Sequence, residues 1–225
     1  MRTEIVVMDM AGTTVADDGL VLDAFTRAVG SLGIGTSDAR FAPMMRHVMD
    51  TMGESKITVF RALFDGDDAL AREANAAFES AYEDLVAGGA CEALPGAEQT
   101  ISSLRGRGVK VALTTGFSPP TRDAILDALD WRGLVDLALS PADVGRGRPF
   151  PDLNLTALVR LGGTDVRAMA TVGDTAYDMS AGLASGAGVV CGVLTGAHDR
   201  RKLEEAGAHH VLDSITDLAG FLDLT

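Results

Sequence analysis

Five short apolar runs punctuate the chain, and each closes on a polar residue or glycine ahead of a helical pattern. They are EIVVMD at 4–9, VKVALTTG at 109–116, VDLALS at 135–140, MATVGD at 169–174 and GVVCGVLTG at 188–196. Runs apolar on both faces belong to strands covered on both sides, and their alternation with helices predicts parallel strands joined by crossovers. The fold class is therefore α/β, a doubly wound parallel sheet. In such sheets ligands bind beyond the carboxyl ends of the strands. Three of the runs load that edge with polar groups: Asp9, Thr114 with Thr115, and Asp174.

Between residues 17 and 90 the pattern changes to helices without a convincing strand, as in ITVFRALF and ALAREANAAFESAYEDLV, the second with apolar residues at 3 and 4 spacing. This predicts a helical cap at 17–90 inserted into an α/β core made of 1–16 and 91–225. A chain of 225 residues suits a core carrying one such insertion. The hinges are expected at Asp17-Asp18-Gly19 and Ala87-Gly88-Gly89-Ala90, where glycine permits the backbone changes of opening.

Composition narrows the partners. A formal charge of −13 opposes a phosphate backbone, so no nucleic-acid partner is expected. A small anionic substrate stays compatible if a metal ion and a few local cations reverse the potential inside the site. Cys91 and Cys191 are far apart and belong to no metal-ligand spacing, so both read as reduced and structural. The first apolar run is stopped by Asp9, too early for a signal-peptide core, and no run reaches the length of a membrane span. The expectation is a cytoplasmic protein with no membrane contact; an apolar cap face would also suit a homodimer.

Asp9-Met10-Ala11-Gly12-Thr13-Thr14 follows its strand directly, which places a carboxylate at a rigid strand end beside glycine and threonine amides. That suits attack on phosphorus, with neighbouring amides holding the equatorial oxygens, although an Asp here could also simply cap a turn. Gly173-Asp174-Thr175-Ala176-Tyr177-Asp178 has carboxylates four residues apart, which share a helix face if a helix begins there. Two hard oxygen ligands suit Mg²⁺, and helix capping by Asp174 is the plain alternative. Thr115, with Gly116 and Phe117 after it, could hold phosphoryl oxygens. Arg148, between two stiffening prolines at 149 and 151 and the glycines at 145 and 147, is a fixed positive charge suited to a phosphorylated aspartate or a solvated surface arginine.

Taken together, DxAGT at 9–13, Thr115, GRPxP at 147–151 and GDTxxD at 173–178 resemble the haloacid dehalogenase superfamily. The resemblance spans nearly the whole chain. It implies an aspartyl-phosphate at Asp9, Mg²⁺ at Asp9 and Asp174 with the Ala11 carbonyl, Asp178 orienting the metal site, and Thr115 with Arg148 holding the phosphoryl group. The usual phosphatases of the superfamily carry an acid two positions after the nucleophile, where Ala11 stands here. Losing a general acid typically costs ~10²- to 10⁴-fold in rate.

DxAGT with an arginine in the third motif is similar to the phosphonatase-like branch, which cleaves a carbon to phosphorus bond. Met52-Gly53-Glu54-Ser55-Lys56 resembles that branch's cap segment, whose lysine forms a Schiff base so that carbon leaves without the missing acid. The resemblance makes Lys56 the candidate amine and puts Met52, Gly12, Thr13, Gly116 and Phe117 against the substrate, a phosphonoacetaldehyde or related small aldehyde. Val59 stands where that branch has a histidine, Phe117 where it has a tyrosine and Met10 where it has a tryptophan. Four other readings stand beside this one. In a small-metabolite phosphate monoesterase, for instance a phosphoglycolate phosphatase, Lys56 only binds the substrate. The others are a phosphomutase, a metal-independent dehalogenase, disfavoured by the carboxylates, and a silent binding protein. His47 matches no position of the family, and His209-His210 reads as structural.

Overall fold

The computed structural model describes residues 2–17 and 19–222. Strand β1 (Ile5–Asp9) is followed by four helices, α1 (Leu20–Ser31), α2 (Phe41–Asp50), α3 (Lys56–Leu63) and α4 (Asp68–Ala87). The chain continues through α5 (Ala97–Gly106), β2 (Lys110–Thr114), α6 (Pro119–Ala128), β3 (Leu137–Leu139), α7 (Asp152–Arg160) and β4 (Met169–Gly173). It ends with α8 (Ala176–Ala184), β5 (Val189–Val193), α9 (Arg200–Glu205), β6 (His210–Leu212) and α10 (Leu218–Leu222). The strands form one parallel sheet in the order β3-β2-β1-β4-β5-β6. The strand order reverses beside β1, and there the crevice of a doubly wound sheet opens.

All five runs form strands, shorter than their apolar stretches suggest, and β6 is a sixth. Thr115 lies just past β2. Register sets Asp9 beside Thr114 and Met8 beside Val172, so the three polar strand ends emerge together. Side chains alternate across the sheet as the pleat requires. Ile5 and Val7 join Leu139, Leu153 and Leu158 in one cluster, while Val6, Met8, Val111 and Leu113 face the other way.

That second cluster runs unbroken into the helical insertion, taking in Phe25, Phe60, Phe78 and Tyr82. Its rings touch in sequence: Phe25 to Phe78 at 4.7 Å, Phe78 to Tyr82 at 5.9 Å, and Tyr82 to Phe117 of the core at 4.5 Å between centroids. Helix α4 earns its length from Asp67, whose side chain accepts the amide protons of Ala69 and Leu70, and from Ala71, Ala74, Phe78 and Tyr82 on one buried stripe. Of the two expected hinge loops, Asp18 lies outside the described residues. Gly89 adopts φ 83°, a conformation that favours glycine.

His209 Nδ1 accepts the Val190 amide proton, and His210 packs on Phe221 at 4.5 Å. Cys91 and Cys191 are buried free thiols.

Candidate active site

Asp9 closes β1 in a buried position, and the turn after it is fixed by its own hydrogen bonds. The amides of Gly12 and Thr13 donate to Val15 O at 2.8 Å and Met10 O at 3.2 Å, so both are engaged within the turn. Thr13 is buried and donates its hydroxyl to Asp174 Oδ1 at 3.0 Å, which orients that carboxylate. Gly12 has φ 85°, and a Cβ there would come within 2.6 Å of Asp174 Oδ2. Only glycine lets this backbone pass so near the second carboxylate.

Asp174 follows β4 and precedes α8, so it does not share a helix face with Asp178. Thr175 caps the helix and Asp178 completes a reciprocal capping box, its Oδ2 accepting the Thr175 amide proton at 3.1 Å. The expected convergence still occurs, through the strand end and not through helical spacing. Asp9, Asp174 and Asp178 each present a carboxylate oxygen, all within 4.8 Å of one another.

Arg148 is buried, not solvated. Its Nη1 lies 2.6 Å from Asp9 Oδ1 and also pairs with Asp178 Oδ1. Burial alone would weaken its charge, but Asp178 and Asp9 beside it hold the guanidinium protonated. One arginine does not neutralise three carboxylates. Burial pushes Asp9 well above the ordinary carboxylate range, with Asp178 and Asp174 adding to the effect and Arg148 opposing it. Asp174 is pushed up to about 6, first by burial and then by Asp178. Three buried oxygens with surplus negative charge are a donor set that fits a small hard cation such as Mg²⁺.

Thr115 donates its amide to Leu139 O at 3.1 Å and accepts the Phe117 amide proton on Oγ1 at 3.2 Å, which leaves its hydroxyl proton for another acceptor. A Cβ on Gly116 would stand 2.7 Å from Glu54 O, so the 51–55 turn of the helical insertion rests directly on the core there. The same turn meets the core again where Gly53, at φ 97°, packs on Thr175.

Lys56 opens α3 and is buried, its Nζ lying 5.3 Å from the Phe117 ring centroid and 6.0 Å from that of Phe25. Burial brings its pKa down to about 8; Asp17 opposes that shift, Arg148 adds to it, and Asp9 and Asp174 oppose it more weakly.

One cavity of about 380 Å³ joins these parts. Of the residues predicted from sequence, Asp9, Ala11, Gly12, Met52, Lys56, Thr115, Gly116, Phe117, Arg148 and Asp174 line it, whereas Thr13 and Asp178 stand behind it. The sequence reading missed Asp17 and the 195–197 loop, which also line it. Thr195 donates its hydroxyl to Gly12 O at 2.7 Å, and the Ala197 amide donates to Asp174 Oδ2 at 2.8 Å. His198, also missed, accepts the Ala176 amide proton on Nδ1 at 2.8 Å and so serves the start of α8. The LTG ending the fifth run was the one signal for this loop.

A family model described as haloacid dehalogenase-like hydrolase matches residues 3–186. Among curated relatives, a phosphonoacetaldehyde hydrolase of Bacillus cereus is 28% identical over 265 aligned positions, covering 99% of this chain and 96% of its own length. A probable phosphatase, IndB, of Dickeya dadantii is 26% identical, covering 96% and 92%. Among solved structures, a hydrolase from Pseudomonas syringae superposes with a TM-score of 0.84 at 26% identity, covering 99% of both chains.

Proposed function

Because the chain belongs to the haloacid dehalogenase-like hydrolases, we propose that it cleaves the carbon to phosphorus bond of a small phosphonate aldehyde, through an imine at Lys56 and an aspartyl-phosphate at Asp9. The observation that carries this reading is a buried lysine sharing one cavity with the Asp9 carboxylate, with Ala11 where an acid would otherwise protonate a leaving oxygen. Mg²⁺, held by Asp9, Asp174 and the Ala11 carbonyl, would supply charge neutralisation between the carboxylate and an anionic phosphoryl group.

With its pKa brought down to about 8, the Lys56 amine has an accessible neutral form that can add to an aldehyde and lose water. Asp9 then attacks phosphorus. The carbon to phosphorus bond breaks and its electron pair moves into the protonated imine, giving an enamine that needs no acid on oxygen. Water hydrolyses the aspartyl-phosphate to free phosphate and Asp9. The enamine is protonated at carbon and its imine is hydrolysed, releasing the aldehyde and Lys56. Arg148 and the Thr115 hydroxyl hold phosphoryl oxygens, and Asp178 keeps Arg148 in place. The helices at 17–90 act as a cap whose 51–55 turn closes the cavity against water.

The second reading is a phosphate monoesterase in which Lys56 only binds an anion; the probable phosphatase among the relatives favours it. Phosphate release from phosphonoacetaldehyde beside phosphoglycolate, with Mg²⁺ and then with EDTA, separates the two. Metal-dependent release from the phosphonate supports the imine route, and preference for the ester overturns it.

A further inference from the structure

Five ionisable side chains line the cavity among the described residues: Asp9, Asp174 and Arg148 at the strand ends, and Lys56 and Asp17 on the side of the helical insertion. Asp17 is fixed there, its Oδ1 accepting the Val21 amide proton at 3.0 Å in the first turn of α1. Phe25, one turn beyond Val21 on the same helix, is one of the two rings flanking the Lys56 ammonium. The remaining wall on this side is apolar, with Val21, Leu22, Met52 and Phe117.

We propose that Asp17 is a specificity-determining residue that balances the charge of Lys56 at the leaving-group end of the cavity, so that the site takes uncharged leaving groups and rejects those bearing a carboxylate. This rests on the reading of Asp9 as the group that receives the phosphoryl end. A lysine alone in an apolar pocket is an anion receptor, and a carboxylate would be drawn to it. Asp17 cancels that attraction by setting a like charge against the incoming carboxylate, which discriminates through repulsion. Among the charges acting on Lys56, that of Asp17 is the strongest, ahead of Arg148, Asp9 and Asp174. An aldehyde has no charge to repel and still reaches the amine.

The test compares two ligands of similar size, phosphonoacetate and 2-hydroxyethylphosphonate, binding the full chain with Mg²⁺ by calorimetry, in wild type, Asp17→Asn and Asp17→Glu. The wild type is expected to favour the uncharged ligand. Asp17→Asn shifts the affinity ratio towards phosphonoacetate by ~10- to 100-fold, and Asp17→Glu restores the wild-type preference. A ratio unchanged in Asp17→Asn, or a wild type that prefers phosphonoacetate, overturns the proposal. Because binding needs no turnover, failure of the imine reading shows separately, as absent phosphate release from phosphonoacetaldehyde. A variant that fails to bind either ligand is checked by circular dichroism; if it is folded, the loss assigns Asp17 to general pocket structure and overturns its selective role.

Discussion

Arg148 bridges Asp9 and Asp178, its Nη1 standing 2.6 Å from the carboxylate that closes the first strand. The loop 145–151 thus delivers a cation to the bottom of a crevice that the sheet alone leaves negative. Arg148→Met removes the cation and leaves two buried carboxylates facing each other. Breaking such a buried pair from one side costs about 3–5 kcal/mol, which urea denaturation of the metal-free protein measures. Arg148→Lys keeps the charge but not the two-way geometry, and is expected to recover only part of the loss.

Asp174 makes the metal-free protein sensitive to pH in a defined direction. Its folded pKa of about 6 lies above the ordinary 3.8, so between those values the folded state binds protons that the unfolded chain has released. Stability is therefore greatest at the acid end of that window and falls as pH rises through about 6. Saturating Mg²⁺ favours the ionised carboxylate and flattens the dependence. Thermal melts from pH 4.5 to 7.5 in EDTA and in Mg²⁺ read this directly; parallel curves count against a metal at Asp174.

Lys56→Gln and Lys56→Arg separate an amine that reacts from one that only attracts. Both are expected to lose phosphate release from phosphonoacetaldehyde, and neither should retain label after borohydride reduction with that substrate. In the wild type the trapped adduct should grow as pH climbs towards about 8, where burial has brought the amine into range. An active Lys56→Arg variant rules out the imine.

The contact of Gly116 with Glu54 O predicts a specific failure of closure. Gly116→Ala drives a methyl group to within 2.7 Å of a backbone oxygen that cannot rotate aside, which costs about 1–3 kcal/mol if the helical insertion stays docked. The expected readout is a raised KM with faster proteolysis near residues 51–55. Unchanged kinetics would mean that the turn moves freely off the core.

The placement of Asp9 and Asp174 at the carboxyl edge of the sheet was legible because strand ends are written locally: an apolar run stopped by an aspartate states both the strand and the position of the group. The convergence of Asp174 and Asp178 was legible for the wrong reason, since spacing suggested a shared helix face where a strand end and a capping box do the work. Asp17 and Thr195 were not legible. Each lies in a loop without periodicity: Asp17 is held locally by the Val21 amide at the start of α1, and Thr195 owes its place to its bond with Gly12, far away in the chain. Nor does composition say that Arg148 is buried, because an arginine in a glycine-rich loop is more often solvated.

Phe117 is at once a wall of the cavity and the ring that ties the sheet to the aromatic chain of the helical insertion. Selection for a larger or differently shaped leaving group would act on the side chain that also holds the two parts of the molecule in register. Altered substrate range and loss of mechanical coupling between the parts would then arrive in the same mutation. Changes at Leu22 or Met52, which line the cavity without being deeply buried, offer a less entangled route to new specificity.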